Sequence, residues 1–234
     1  SARVDMERLV RDVTLANLDG DGLADLAIAV ESYSWIDREE LHLLTAPFSG
    51  VVDAADASYA RVDAIEEYQY FKHVRAGDTN GDGLDDVVLA NPQDDTTANN
   101  NGAVHIISPD FTGTGTTSDA VATLLGASDK SQTDAGTSID VGDLDGDGLA
   151  DLLIGAPDGG LGWGAAYVVF GPIAGTIDLK NAPLQFNSSG LSSQFGISAV
   201  LAGDLDGDGS SDVAIGADYS GGQDGSVFTF LGPF

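Results

Sequence analysis

The nine residues Asp143-Leu-Asp145-Gly-Asp147-Gly-Leu149-Ala-Asp151, which run directly into Leu152-Leu-Ile-Gly155, decide the fold of this 234-residue chain. Oxygen-bearing side chains stand at positions 1, 3, 5 and 9 of this loop. Calcium takes six to eight oxygen ligands, so these side chains, a carbonyl at position 7 and a water can enclose it. The glycines at positions 4 and 6 allow sharp turns. The segment is therefore predicted to be a calcium loop followed by a strand.

Three further loops share this spacing, and the four copies recur at intervals of 61, 65 and 61 residues. The other copies are Asn17-Leu-Asp19-Gly-Asp21-Gly-Leu23-Ala-Asp25, Asp78-Thr-Asn80-Gly-Asp82-Gly-Leu84-Asp-Asp86 and Asp204-Leu-Asp206-Gly-Asp208-Gly-Ser210-Ser-Asp212. Carboxylates crowded into nine residues repel one another unless a cation lies between them. Solvated Asp-Gly turns therefore explain one loop at most.

An EF-hand begins with similar spacing but needs a bidentate glutamate at position 12 and a helix on each side. Position 12 is apolar in all four copies: Ile28, Leu89, Ile154 and Ile215. Each loop is followed by a short apolar run that small residues end, and such runs are typical of buried strands. The loops are therefore predicted to lie in β-hairpins.

A second landmark is a strand that ends just before a proline, with the prolines at 47, 109, 172 and 233. A further strand is predicted near Tyr59–Ile65, Ala120–Leu125 and Pro183–Phe186, and another leads into each loop. Four strands per repeat of about 60 residues is the content of a propeller blade. The sequence thus predicts one all-β propeller domain over residues 1–234, with blades at 7–65, 66–125, 126–187 and 188–234.

Closure of the ring is predicted from the first residues of the chain. Ala2-Arg3-Val4-Asp5 repeats Ala60-Arg61-Val62-Asp63, which is a predicted outer strand, whereas no outer strand is predicted after the third strand of the last repeat. If residues 1–6 complete the last blade, the four blades close and no sheet edge stays unpaired. We therefore expect a closed four-bladed propeller.

These repeats resemble the FG-GAP repeats of integrin α-subunit propellers and their bacterial relatives. The Phe-Gly element is Phe195-Gly196, with a weaker copy at Ala135-Gly136. The Gly-Ala-Pro element is Gly155-Ala156-Pro157, with degraded copies at Ala90-Asn91-Pro92 and Gly216-Ala217-Asp218. The first repeat keeps chiefly its calcium loop.

The resemblance implies a calcium ligand set in each loop, with position 7 contributing its main-chain carbonyl. The implied ligands are Asn17, Asp19, Asp21, Leu23 and Asp25; Asp78, Asn80, Asp82, Leu84 and Asp86; Asp143, Asp145, Asp147, Leu149 and Asp151; and Asp204, Asp206, Asp208, Ser210 and Asp212. Up to four Ca²⁺ ions are expected. Asn17 and Asn80 replace carboxylates and should weaken the first two sites. Integrin-type propellers have seven blades, so this chain is either a minimal ring or part of a larger one.

The composition restricts partners and location. The formal charge of −29 repels phosphate backbones and anionic membrane surfaces, so neither nucleic acid binding nor membrane insertion is expected. The absence of cysteine excludes disulfides, thiolate metal sites and cysteine nucleophiles. Calcium loops without the position 12 glutamate are typical of weak extracellular modules. We expect an extracellular or cell-surface location, with the periplasm as an alternative.

Other chemistry has less support in the sequence. His42 and His105 fall at a strand position that is aromatic in the later repeats, which indicates packing, and His73 matches no catalytic motif. Two acidic residues could serve a glycosidase, but most are assigned to calcium. Aromatic residues in the loops expected opposite the calcium loops are candidates for a ligand-binding face. These residues are Tyr33, Trp35, Trp163 and Tyr219.

The sequence therefore favours a calcium-binding, non-catalytic module for adhesion or recognition, monomeric, with a protein or glycan ligand. Two alternatives stay open. One is the propeller domain of a secreted hydrolase. The other is a segment of a larger integrin-like propeller, or a subunit that completes a ring by association.

Overall fold

The computed structural model describes residues 2–6, 9–31, 39–64, 70–95, 101–130, 132–158, 164–188, 194–218 and 224–234. Strands dominate these ranges. The helices among them are one short turn, Ala54–Ala57 (α1), and two 3-10 turns, Thr117–Asp119 and Leu179–Asn181. None of these helices is long or apolar enough to traverse a bilayer. The predicted all-β class is confirmed.

Four antiparallel sheets follow one another along the chain. The first contains β2 (Leu9–Ala16), β3 (Asp25–Glu31), β4 (Glu40–Leu44) and β6 (Ala60–Asp63). The second contains β7 (His73–Gly77), β8 (Asp86–Asn91), β9 (Ala103–Ile107) and β11 (Ala122–Leu125). The third contains β12 (Ser138–Gly142), β13 (Asp151–Ala156), β14 (Ala165–Val169) and β16 (Leu184–Asn187). The last contains β17 (Phe195–Gly203), β18 (Asp212–Ala217) and β19 (Ser226–Phe230). Repeated four-stranded sheets are consistent with a β-propeller.

Four more strands connect neighbouring sheets and were predicted only in part. They are β1 (Ala2–Asp5), β5 (Gly50–Asp53), β10 (Gly113–Thr116) and β15 (Gly175–Asp178). β5 pairs in parallel with β1, β10 with β6, and β15 with β11. β5, β10 and β15 each begin at a glycine with φ between 69° and 81°, a conformation that costs other residues energy. β10 extends the outer edge of the first sheet and β15 that of the second, whereas β5 and β1 form a separate two-stranded sheet.

The predicted closure by residues 1–6 is wrong in this structure. β1 pairs with β5 rather than with β19, and the last sheet contains three strands in the part of the chain described. The Ala-Arg-Val-Asp sequence identified β1 as an outer strand but carries no signal for the sheet that receives it. Tertiary packing instead sets β1 beside β5, with Val4 against the first sheet.

Apolar side chains form a core between successive sheets. Val62, Leu43 and Leu89 join the first sheet to the second, and corresponding clusters join the second to the third and the third to the last. Strands of the second sheet, such as β8, are buried on both faces. This two-sided burial explains why β8 is a continuous apolar run instead of alternating with polar residues.

Glycines allow the third and last sheets to approach closely. Gly196 has φ 92°, and a Cβ there would overlap the Ala165 carbonyl oxygen, while a Cβ on Gly155 would overlap the Gly196 carbonyl oxygen. Ser138 Oγ donates to that Gly196 oxygen at 3.0 Å. The Phe-Gly and Gly-Ala-Pro elements thus meet at the junction between sheets, where only glycine leaves room for the neighbouring backbone.

Candidate calcium loops

Each acidic loop connects the first two strands of a sheet. The loops lie between β2 and β3, β7 and β8, β12 and β13, and β17 and β18. Each strand pair is antiparallel and in register up to the loop, as Gly142 opposite Asp151 shows for the third copy. The predicted placement of the loops in β-hairpins is therefore confirmed, and a helical EF-hand setting is excluded for them.

The position 1 carboxylate organises the turn. In the third loop, Asp143 accepts the Gly146 N–H at 2.7 Å through Oδ1 and the Gly148 N–H at 3.0 Å through Oδ2. Both glycines have φ above 80°. The second and last loops repeat the pattern from Asp78 and Asp204. The sharp turns predicted at the glycines of positions 4 and 6 are confirmed, and their positive φ directs these N–H groups toward the position 1 side chain.

The side chains at positions 3 and 5 each accept a hydrogen bond from the backbone N–H two residues later. Asp145 Oδ1 accepts the Asp147 N–H at 3.1 Å, and Asp147 Oδ1 accepts the Leu149 N–H at 2.8 Å. Each bond uses one oxygen of the carboxylate. The other oxygen is free of these two bonds, so the loop backbone orients the carboxylates while sparing ligand atoms.

The position 9 aspartate is buried and joins the loop to the end of the third strand. Asp151 is fully buried; its Oδ2 accepts the Leu144 N–H at 2.7 Å and its Oδ1 accepts the Gly171 N–H at 2.9 Å. Asp25 and Asp212 make the same two kinds of bond. Burial raises the pKa of Asp151. A buried carboxylate gains from hydrogen bonds and from a bound cation.

Carboxylates converge in two of the loops. Asp143, Asp145 and Asp151 each place one oxygen within 4.8 Å of the others, and a second set lies in the last loop at Asp204, Asp206 and Asp208. Three anionic oxygens at this separation suit a hard divalent cation. In the second loop, Asn80 Nδ2 donates to Asp86 Oδ2 at 3.1 Å, so an amide hydrogen points where a carboxylate would offer an oxygen.

The pKa shifts of the exposed and the buried carboxylates of the loops have opposite directions. Burial tends to raise the pKa of Asp78, but four backbone N–H donors, those of Gly83 and Gly81 foremost, outweigh it and lower the pKa. The N–H groups of Gly209 and Gly207 likewise lower the pKa of Asp204. These backbone donors therefore favour the anionic forms of Asp78 and Asp204, and the anion is the form that binds a metal.

Neighbouring loops contact each other, which the sequence analysis missed. The Asp85 N–H donates to the Asn17 carbonyl at 2.9 Å, and the Ala150 N–H donates to the Asp78 carbonyl at 2.8 Å. Asp85 Oδ2 also accepts the Asn17 N–H at 2.8 Å. Position 8 of one loop thus binds position 1 of the loop before it. The only sequence signal is the extra aspartate at position 8 of the second copy.

The other predicted residues fall into two groups. The aromatic residues proposed for a ligand face, Tyr33, Trp35, Trp163 and Tyr219, lie outside the described residues. His42 and His105 are buried in their strands, as expected for packing positions. His42 Nε2 lies 3.0 Å from Glu40 Oε2, and its Nδ1 lies 2.9 Å from Ser58 Oγ. His73 Nε2 lies 3.1 Å from the Thr137 carbonyl oxygen.

Two carboxyl groups away from the loops also interact. Burial raises the pKa of Asp134 to about 6, with a further contribution from the charge of Asp158 and a hydrogen bond to it, while Lys72 opposes the shift. Burial also raises the pKa of Glu39 to about 7; the Phe71 N–H donates to its Oε2. These groups lie before β12, after β13 and before β4, at the strand ends remote from the acidic loops.

Comparison with known proteins agrees with the architecture. A family model described as FG-GAP repeat matches residues 73–107, 135–169 and 195–230. Integrin alpha-7 of Rattus norvegicus is 36% identical over 140 residues, covering 58% of this chain and 11% of that protein. Integrin alpha-5 of Xenopus laevis is 35% identical over 158 residues, covering 63% and 15%. Integrin alpha-PS2 of Drosophila melanogaster is 36% identical over 108 residues, covering 42% and 8%.

The successive sheets, the hairpin loops and the glycine junctions define a domain built from FG-GAP repeats. The chain is an integrin alpha-like FG-GAP domain, as its sequence predicted. It spans between 8 and 15% of the length of the three relatives named above.

Proposed function

We propose that this domain is a calcium-stabilised, non-catalytic module for adhesion or recognition. The convergence of Asp143, Asp145 and Asp151 is the observation that carries the proposal. The hairpin positions these carboxylates before any metal arrives, and without a cation their charges repel. Calcium would therefore bind the folded hairpin and contribute its binding energy to folding.

The four loops are proposed to bind up to four ions, with the position 1, 3, 5 and 9 side chains and the position 7 carbonyl as ligands. The third and last loops should bind most tightly, because all four side-chain ligands are carboxylates there. The hydrogen bonds between neighbouring loops support a bracing role, since an ion in one loop would order the backbone that the next loop contacts.

The four sheets are proposed to be consecutive blades of a β-propeller with the boundaries 7–65, 66–125, 126–187 and 188–234. The packing of each sheet against the next supports this arrangement. Relatedness to integrin alpha chains supports a protein or glycan ligand and an extracellular or cell-surface location. We place the ligand on the loops remote from the calcium loops, which include Trp35 and Trp163.

The rival function is the propeller domain of a hydrolase, and Asp134 with Asp158 is the pair that such an activity would use. The carboxyl groups of a glycosidase lie about 5 to 9.5 Å apart, which leaves room for the sugar bond or a water. The charge of Asp158 contributes to the raised pKa of Asp134, so the two carboxyl groups interact directly. Two carboxyl groups that interact with each other in this way do not by themselves support a catalytic pair.

Thermal unfolding in calcium and in EDTA tests the proposal. Each site that binds only the folded state should contribute about 2.7 kcal/mol when calcium exceeds its Kd a hundredfold. We expect EDTA to lower the melting temperature strongly and added calcium to restore it, with magnesium as the control. A melting curve that chelation leaves unmoved would exclude the structural role of calcium.

A further inference from the structure

The residue at position 8 of the second loop, Asp85, holds the main chain of Asn17 at position 1 of the first loop. The Asp85 N–H donates to the Asn17 carbonyl at 2.9 Å, and Asp85 Oδ2 accepts the Asn17 N–H at 2.8 Å. Position 8 of the third loop is Ala150, whose N–H makes the same kind of bond to Asp78. An alanine side chain accepts no hydrogen bond. The carboxylate of Asp85 therefore adds a link that Ala150 cannot provide.

The second loop also orients the side chain of Asn17. Asn17 Nδ2 donates to the Gly83 carbonyl at 3.2 Å, and Asn17 Oδ1 accepts the Gly20 N–H of its own loop at 3.1 Å. An asparagine has one side-chain oxygen, so the bond to Gly83 turns that oxygen toward the first loop. Asp143, at position 1 of the third loop, instead holds both of its oxygens through its own loop. The side-chain ligand atom of Asn17 thus depends on the neighbouring loop.

One peptide group connects the two candidate sites. The Leu84 carbonyl is the proposed position 7 ligand of the second loop, and the N–H of the same peptide, that of Asp85, donates to Asn17. A carbonyl bound to a cation polarises its peptide, which strengthens the hydrogen bond that the N–H donates. The Leu84 side chain also lies against the first loop, because a Cβ on Gly20 would lie 3.3 Å from Leu84 Cδ2. Main chain and side chain both connect the two loops.

We propose that Asp85 positions Asn17 for calcium, so that the first and second loops bind their ions cooperatively. This inference rests on the proposed calcium role of the loops. The extra link lies between the two loops whose ligand sets contain an asparagine, Asn17 in the first and Asn80 in the second. Coupling between sites is reciprocal, so each ion favours the other by the same factor. Two sites of lower ligand charge then support each other.

A calcium titration followed by NMR tests the coupling, with the position 6 glycine amide of each loop as its reporter. Asp82→Asn lowers the ligand charge of the second loop but keeps an acceptor for the Leu84 N–H, which Asp82 Oδ1 accepts at 2.8 Å. We expect the calcium concentration at half-saturation of the Gly22 signal to rise about fivefold or more, as for typical coupled sites. The reporters are Gly22, Gly83, Gly148 and Gly209.

Asp208→Asn is the matched control for this titration. It makes the same change at position 5 of the last loop, where Asp208 Oδ1 accepts the Ser210 N–H at 2.8 Å. The Gly209 signal should then need more calcium, while the half-saturation of the Gly22 signal should stay that of the parent chain. A Gly22 signal that responds equally to Asp82→Asn and Asp208→Asn would overturn the coupling between the first two loops.

Variants of Asp85 test its positioning role. Asp85→Ala gives the first two loops the junction that the second and third loops have, and it should weaken calcium binding at Gly22 about 2- to 10-fold, the net effect of one hydrogen bond. In this background Asp82→Asn should change the Gly22 signal less than in the parent. Asp85→Asn keeps an acceptor for the Asn17 N–H and should recover most of the affinity. If Asp85→Asn binds as weakly as Asp85→Ala, charge attraction replaces positioning and the role of Asp85 is overturned.

The titration also separates this inference from the proposed function. Loops that all bind calcium, with a Gly22 signal that Asp82→Asn leaves unchanged, would overturn the coupling and leave the calcium role intact. Four glycine signals that do not respond to millimolar calcium would contradict the proposed function itself, and the coupling with it.

Discussion

The first and third repeats share one loop spacing but differ in the charge of the loop and in how their sheets meet the next. The third loop has four side-chain carboxylates and three of them converge, whereas the first has Asn17 at position 1. Asn17 instead accepts the Gly20 N–H at 3.1 Å and donates to the Gly83 carbonyl at 3.2 Å. The spacing sets the backbone of the loop, and the carboxylates converge in the two loops that have aspartate at both position 1 and position 3.

The junctions differ in the same two repeats. Gly164, before β14, lies against the Phe195 backbone in a parallel bridge. The corresponding place before β4 holds Glu39, which reaches the Phe71 N–H with its side chain. In the first repeat, the junction between sheets is linked by the Glu39 carboxylate. In the third repeat, the corresponding link is direct contact between the backbones of Gly164 and Phe195. The later junction is tighter, and the earlier one contains a carboxyl group whose pKa burial raises.

The largest expected effect is at position 9, where both repeats agree. Asp151→Ala would leave the buried Leu144 and Gly171 N–H groups without their acceptor, and we expect a loss of about 2–5 kcal/mol in the free energy of unfolding. Asp25→Ala should cost a similar amount. Urea unfolding in EDTA measures this without metal. Asp147→Ala, at an exposed ligand position, is the control and should change stability little under those conditions; equal losses in Asp147→Ala and Asp151→Ala would contradict the structural role of position 9.

The tight junction of the third repeat should tolerate no side chain at position 164. Gly164→Ala places a Cβ on the Phe195 carbonyl oxygen and strains a residue with φ 77°, so we expect a loss of about 3 kcal/mol, close to the effect of overpacking with added backbone strain. Gly175→Ala is matched, because its φ is 71° but no atom lies within 4 Å of the added Cβ. Thermal unfolding of the pair separates the clash from the strain. Equal destabilisation would show that contact with Phe195 does not matter.

The junction of the first repeat should respond to pH. Burial raises the pKa of Glu39 from 4.5 to about 7, and the charge of Glu31 adds to the rise while the Phe71 N–H and Arg11 oppose it. The folded state then holds a proton that the unfolded state releases, so stability falls as pH rises from about 4.5 to 7 and levels off above. Glu39→Gln keeps an acceptor for Phe71 and should remove this fall, at most about 3 kcal/mol.

Stability of the parent and Glu39→Gln chains at a series of pH values, in EDTA, checks this prediction. The difference between the two chains should be small at pH 4 and largest at pH 8, with the variant favoured. Asp119→Asn, in the 3-10 turn Thr117–Asp119, serves as a control for the loss of one negative charge and keeps an acceptor for the Thr116 N–H. A difference between parent and variant that is the same at all pH values would contradict the raised pKa.

Most of the hairpins could be predicted from the sequence because their signal is local. Apolar runs such as Leu152–Gly155, bounded by glycine and aspartate, identify buried strands without any knowledge of their partners. The acidic loops are equally local, since all ligands fall within nine residues. The Phe-Gly and Gly-Ala-Pro glycines are also visible in the sequence, although their reason, close approach between sheets, is visible only in the structure.

The parallel strands and the place of β1 could not be predicted in this way. Gly113–Thr116 is Gly-Thr-Gly-Thr, which has no apolar alternation because its side chains cover no core. Its pairing with β6 depends on residues some 50 positions away. The Ala-Arg-Val-Asp sequence of β1 likewise identifies an outer strand but not the sheet that receives it. Contacts of this kind are set by tertiary packing, which local patterns do not encode.

Anomalous diffraction at the loops of a crystal grown in millimolar calcium tests the central claim most directly. We expect density for Ca²⁺ among Asp143, Asp145 and Asp151, with oxygen ligands at about 2.3–2.6 Å, and equally strong density in the last loop. Weaker density is expected beside Asn17. Empty third and last loops, with their carboxylates turned to water, would contradict it.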